Sequence, residues 1–327
     1  MNETRAVQQQ LDVPQLVQEA IERCADHLSP TPLEYSIHLS EQIEGEVWLK
    51  LDSMQRTSSF KFRGALNKIL SLTEAELERG VVSASTGNYA LAVAEAVRVR
   101  GHRATIYVAE DMDSSRLGLL RSHGLDLVIH GPLPWDAEKE ARRVAEEDGK
   151  IYVSPYKDPL VVGGQGTCGY EISKQLPDLD AGLFACGAGG LLTGSAGWLK
   201  SHNPEVEAFG VSPENSPVMY ESMRANEMLE METYPTLADT CAGGVDLDSI
   251  TLDLCRRYVD EIVLLTEAEI EASIRLLFEQ HRLVVEGSGA LAVGGLLKRR
   301  EHFKGKKVVA VVCGRNIDLE VFKRIIG

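Results

Sequence analysis

What this chain lacks narrows it first. It has no surplus of basic charge: 34 lysines and arginines face 49 aspartates and glutamates, for a net charge of −15. A surface of that sign repels phosphate backbones and anionic lipid, which argues against a nucleic-acid or membrane-surface partner. Its six cysteines (Cys24, Cys168, Cys186, Cys241, Cys255 and Cys313) form no Cys-x-x-Cys pair, so neither a zinc site nor a disulfide framework is indicated. Reduced thiols in the cytoplasm fit better. The eight histidines show no ligand spacing. The start, residues 1–13, is polar and lacks the apolar core of a signal peptide. The longest apolar stretches are short or broken by Glu286 and by glycines, so no membrane-spanning helix is expected. There is no internal repeat and no low-complexity segment. With 327 residues, 44% hydrophobic and 25% charged, the chain is globular and long enough for two domains.

Strand and helix patterns alternate along it. Apolar runs predict strands at 47–51, 81–84, 104–108, 126–130, 151–154, 183–185, 206–211, 262–265 and 308–312. Helical spacing lies between most of them. The clearest helix is 268–281, where Ile270, Ile274, Leu277 and His281 mark one face and Thr266 with Glu269 forms a capping box. Such alternation predicts an α/β protein with parallel sheets covered by helices.

Three segments carry chemistry. In Ser58-Ser59-Phe60-Lys61-Phe62-Arg63-Gly64-Ala65, a lysine stands between two aromatic residues just before a helical pattern. Desolvation by Phe60 and Phe62, together with the positive end of a helix dipole, favours its neutral amine. A neutral amine condenses with an aldehyde cofactor. Taken alone, the run fits equally well a lysine exposed between two core phenylalanines. The strand 81–84 runs into Ser85-Thr86-Gly87-Asn88-Tyr89, where Gly87 permits close approach and the neighbouring hydroxyls and amide supply donors at a helix opening. Another strand leads into Cys186-Gly187-Ala188-Gly189-Gly190-Leu191 and a helix. Such a turn exposes backbone N–H groups to an anion, though a tight packing turn reads the same way.

The ordered combination is specific. It resembles the fold type II pyridoxal-phosphate enzymes, in the branch of threonine and serine dehydratases and serine racemases. The resemblance runs from about Leu28 to the C-terminus. It implies two parallel-sheet α/β domains with pyridoxal 5'-phosphate in the cleft between them. Residues 1–79 and 158–327 would form a discontinuous cofactor-binding domain and 80–157 a smaller inserted one, with a hinge at 71–80 and a return crossing near 155–164. Lys61 is implied to be the Schiff-base lysine, packed beside Phe60. Gly187, Ala188, Gly189, Gly190 and Leu191 match the phosphate loop, with Ala188 replacing one glycine. Asn88 matches the contact to the cofactor's phenolic oxygen. Ser85, Thr86, Gly87, Asn88 and Tyr89 match the loop that holds the substrate carboxylate. Cys313, in Cys313-Gly314-Arg315-Asn316, stands where serine is commoner, opposite the pyridine nitrogen. A neutral thiol there leaves that nitrogen unprotonated and favours loss of a leaving group over transamination.

The implied activity is β-elimination from a β-hydroxy amino acid, by default L-threonine or L-serine, giving a 2-oxo acid and ammonia. Lys61 would be the base at Cα. Thr86, in place of a racemase serine, would disfavour proton delivery from the opposite face. Tyr89 replaces a histidine and Arg315 a glycine. Those departures leave open amino-acid racemisation, and dehydration of hydroxyaspartate or of a hydroxylated solute such as hydroxyectoine. A ligand sensor on the same fold is the non-enzyme alternative. Ser212 and Val218 occupy the acidic positions of a racemase-like metal site, so no metal is expected. Asp239 and Glu286 are acidic and near the family motifs, and a hydrogen-bonded structural role suits each at least as well as a functional one. The resemblance also implies a homodimer that takes a small amino-acid substrate.

Overall fold

The computed structural model describes residues 11–327 apart from Thr86, Asp111, Asp113 and Leu133. In chain order the strands are β1 (Leu33–Tyr35), β2 (Glu46–Lys50), β3 (Val81–Ala84), β4 (Ala104–Val108), β5 (Asp126–Ile129), β6 (Ile151–Tyr152), β7 (Ala181–Ala185), β8 (Glu207–Pro213), β9 (Glu261–Leu265) and β10 (Lys307–Val311). They form a six-stranded sheet in the order β1-β2-β10-β7-β8-β9 and a four-stranded sheet in the order β5-β4-β3-β6. All neighbouring pairs are parallel except β1 with β2. The parallel strands coincide with the expected apolar runs to within two residues. Strands buried on both faces must be apolar throughout, and β7, buried along its whole length, shows why they are legible.

Two places differ from the sequence-based expectation. The antiparallel edge strand β1 carries Leu33, Glu34 and Tyr35, with only its first side chain half-buried, so no periodicity marks it. The segment 71–80, expected as a hinge, contains the short helix Glu74–Arg79, opened by a reciprocal Thr73–Glu76 capping box that the sequence reading did not single out. The second predicted capping box is present, with Thr266 and Glu269 opening the helix Glu267–His281.

The helix Lys61–Leu70 lies between the two sheets' cores. Its residues Phe62, Ala65, Leu66 and Ile69, at helical spacing, join the apolar cluster of the smaller sheet with Tyr89, Val93, Ile106 and Val153. A side chain the size of Phe62, fully buried, contributes roughly 1.5–3 kcal/mol. The same helix turns Arg63 the other way, into a buried charge cluster. Arg63 grips Asp52 through Nε and Nη2 at 2.8 and 2.7 Å, and Glu171 through Nη1 and Nη2 at 2.6 and 2.9 Å. Lys50 Nζ, also fully buried, donates to Glu171 Oε2 at 2.6 Å and to the Thr31 carbonyl at 2.8 Å. Two cations and two carboxylates thus neutralise one another out of water. The cluster joins β2, the turn after it, the Lys61 helix and the long helix Pro159–Gln175. That long helix comes close because it is rich in glycine: a Cβ at Gly164 would lie 2.7 Å from the Asn67 side chain.

Candidate active site

Lys61 opens its helix, and the chain before it is pinned to the end of β10. Phe60 N donates to the Cys313 carbonyl at 2.9 Å, and Ser59 bridges Gly314. Behind Lys61, Arg63 is fixed by its forks. The lysine is therefore held from both sides. Its Nζ stands 4.8 Å from the centre of the Phe60 ring. Burial lowers its pKa below the ordinary lysine value, while the Glu286 carboxylate pulls it back up in part.

Lys61, Phe60, the loop Gly187–Leu191 and Cys313 line one enclosed cavity, together with Tyr156, Gln165, Thr240, Cys241 and Ser288. The loop joins the C-terminal end of β7 to the helix Gly190–His202. Gly189 has φ +86°, a conformation that favours glycine, and it caps that helix without a side chain. The opening amides of such a helix have no intrahelical acceptor and suit a phosphate. Two further facts fit a polar occupant. Gln165 Oε1 is buried with no hydrogen-bond partner, and a Cβ at Gly190 would run into it. The cavity thus offers an acceptor awaiting a donor and a cradle that side chains would fill. These residues fit pyridoxal phosphate.

Cys313 Sγ donates to the Ser288 carbonyl at 3.4 Å. Burial, with the Glu286 carboxylate adding to it, pushes its thiol well above the usual range, so it stays neutral. Cys241, likewise pushed up to about 12 by burial, packs its backbone against Gly187.

The other predicted residues are placed beside this cavity rather than in its lining. Thr86 lies outside the described residues. Ser85 and Gly87 are half-buried at the strand-to-helix turn, and Gly87 N donates to Ser85 Oγ at 3.4 Å. Tyr89 is buried and spends its hydroxyl on the Ser154 carbonyl at 2.8 Å. Arg315 is exposed and donates from Nε to Ser58 Oγ at 3.1 Å. Ser212 donates its hydroxyl to the Cys186 carbonyl at 2.6 Å. Among the described residues no group of three or more His, Cys, Asp or Glu is arranged to hold a metal, and no helix is long and apolar enough to cross a membrane.

Asn88 is tied to a residue that sequence reading left as structural. Its Nδ2 donates to Glu286 Oε1 at 2.7 Å, and its Oδ1 accepts from Asn316 Nδ2 at 2.6 Å. Glu286 Oε1 also accepts from Thr240 Oγ1 at 3.2 Å, and Oε2 from Asn316 N at 3.0 Å. Burial and the neighbouring Asp239 push the Glu286 carboxyl up to about 7, against the pull of these donors. The signal in the sequence was a lone carboxylate in an otherwise apolar stretch.

Comparison with known proteins agrees with this geometry. Residues 25–314 match the family model described as pyridoxal-phosphate dependent enzyme. The chain belongs to that family, and pyridoxal phosphate is its cofactor. An L-threonine ammonia-lyase of Thermotoga maritima is 41% identical over 311 residues, 95% of this chain and 77% of that one. The processed form of threonine deaminase isoform 2 from Solanum lycopersicum superposes with a TM-score of 0.89 at 31% identity, covering 95% and 92% of the two chains. Maize serine racemase superposes with a TM-score of 0.88 at 27% identity, covering 95% and 96%.

Proposed function

We propose that the chain is a pyridoxal-phosphate ammonia-lyase that converts a β-hydroxy amino acid, L-threonine or L-serine, to the 2-oxo acid and ammonia. The observation that carries this reading is the single cavity shared by a desolvated lysine, a glycine-rich helix opening and a neutral thiol. The bound cofactor supplies an electron sink for the charge that develops at the substrate's Cα. The amides of Gly187–Gly190 hold its phosphate. Lys61, whose burial favours the free amine, takes the Cα proton at Nζ. Cys313, in the same cavity lining, would present the bound cofactor with a group that carries no charge, which would favour loss of the β-hydroxyl. Ser85, Gly87 and Asn88 offer donors for the substrate carboxylate, with Thr86 and Tyr89 completing that loop.

The two sheets support a division into 1–79 with 158–327 and 80–157, with closure of the smaller part excluding water. Tyr35 and Ile37, 47% and 68% exposed, offer apolar surface for a homodimer. The acidic surface and free thiols support a cytoplasmic site.

Likeness to both a threonine deaminase and a serine racemase means that overall fold does not choose between elimination and racemisation. The choice rests on Thr86 and Cys313. The test is a panel of β-hydroxy amino acids, including hydroxyaspartate and hydroxyectoine, incubated with the holoenzyme. Ammonia and 2-oxo acid should appear from threonine and serine. D-Serine accumulating faster than pyruvate would replace this reading with the racemase one.

A further inference from the structure

Glu286 is the N-cap residue of the helix Gly287–Lys298, yet its side chain makes no capping bond to that helix. An N-cap carboxylate ordinarily accepts from its own first turn. Here it is 3% exposed and directed elsewhere, and its hydrogen-bond partners are Asn88, Thr240 and the Asn316 backbone. A carboxylate buried among neutral donors is costly by several kcal/mol, and helix capping alone does not explain it. The surrounding chain is shaped to admit it. Gly314 has no room for a side chain, because a Cβ there would lie 2.7 Å from Glu286 Cδ. Glu286 N in turn donates to the Gly314 carbonyl at 3.3 Å.

We propose that Glu286 is a positioning residue that sets the cofactor's surroundings through Asn88 and through the Cys313–Asn316 loop. This rests on the reading that the cavity takes pyridoxal phosphate with Asn88 and Cys313 as neighbours. An asparagine amide can present either its oxygen or its nitrogen, and its partners decide which. With Asn316 donating to Oδ1 and Glu286 accepting from Nδ2, one face is fixed, and one Nδ2 hydrogen remains for a ligand oxygen. The same carboxylate holds the Asn316 amide and so anchors the loop that carries Cys313. One group thereby orients two contacts that are 225 positions apart in the chain (313 − 88). Glutamine cannot replace it. Three donors converge on two carboxylate oxygens, and glutamine has one acceptor oxygen and a nitrogen that would meet a donor.

The test compares wild type, Glu286→Gln, Asn316→Ala, Asn88→Ala and the double variant Glu286→Gln/Asn88→Ala. Each is measured for pyridoxal phosphate affinity, visible absorption of the bound cofactor, thermal midpoint, kcat and KM. Glu286→Gln should weaken cofactor binding by about tenfold or more and shift the visible band. A misplacement of about 1 Å should lower kcat on the order of 100-fold, with KM within about threefold. The double variant should lose less affinity than the sum of the two single losses, because Glu286 acts in part through Asn88. Additive losses, or an unshifted band in Glu286→Gln, would overturn the proposal. Should Glu286→Gln not fold, Asn316→Ala removes the amide's other anchor without touching the buried charge. Unchanged cofactor affinity in that variant overturns the proposal equally. A wild type that binds cofactor but releases no ammonia rejects the proposed reaction and leaves this comparison decisive. A wild type that binds no cofactor rejects both.

Discussion

Replacing Arg63 with methionine gives the sharpest test of what holds Lys61 in place. The guanidinium is fully buried and makes two forks, to Asp52 and to Glu171, plus a 3.0 Å bond to Thr167 Oγ1. Methionine preserves much of the volume and removes the charge, leaving two carboxylates with Lys50 as their cation. Breaking a buried pair on one side costs about 3–5 kcal/mol. At about 2–4 °C per kcal/mol for a chain of this size or somewhat smaller, the thermal midpoint should fall by about 6–20 °C. The pH dependence supplies a second check. Burial raises the Asp52 carboxyl, but the charge and hydrogen bonds of Arg63, with Lys50 and Thr31, outweigh it and hold Asp52 below its ordinary value. A depressed carboxyl confers stability that is present above the unfolded pKa and is lost as pH falls through the folded one. In Arg63→Met the Asp52 carboxyl is no longer held down, so acid protonates and relieves it. The gap between wild type and variant should therefore be widest near neutral pH and shrink toward pH 4–5. Urea unfolding at several pH values measures it. A loss under about 1 kcal/mol at pH 7, or a gap that widens in acid, would refute the reasoning.

Other predictions are simpler to read. Borohydride reduction of the holoenzyme followed by peptide mapping should place the label on Lys61; a label on any other lysine rejects the assignment. Activity should survive chelators, because Val218 has no oxygen ligand and the Ser212 hydroxyl is bonded to the Cys186 carbonyl. Loss on chelation that magnesium restores would show a divalent site that these side chains do not form. Thr86→Ser should raise the share of racemisation, since removing the methyl frees the hydroxyl's rotamer. Chiral analysis of serine would contradict this if the ratio of D-serine to pyruvate stayed unchanged.

Much of this molecule is legible from sequence because its determinants are local. A parallel strand such as β7 is apolar along its length, and the Lys61 run and the glycine loop each sit within a few residues of a strand or helix end. What escaped is built from distant pairs. Gln165 lies on the glycine-rich helix Pro159–Gln175, and only the packed fold shows that those glycines seat it against the Lys61 helix. Glu286 reaches Asn88 across 198 positions, and no spacing rule foresees that contact. Tyr89 follows the substrate loop in sequence, and its hydroxyl meets the Ser154 carbonyl 65 positions away, a contact that no local pattern announces.

The two buried polar systems divide the work around Lys61. The Arg63 cluster is charge-balanced, with Arg63 and Lys50 against Asp52 and Glu171, so it can be rigid at any pH at which the carboxylates are ionised. It ties the base of the Lys61 helix to the large sheet. The Glu286 cluster has no lysine or arginine among its hydrogen-bond partners in the described residues, and its carboxyl sits near 7. Burial makes that carboxylate costly to ionise, and Lys61 is among the groups that feel its charge. The charge-balanced cluster holds the helix that Lys61 opens, and the carboxyl shared by Asn88 and Asn316 lies where Lys61 feels its charge.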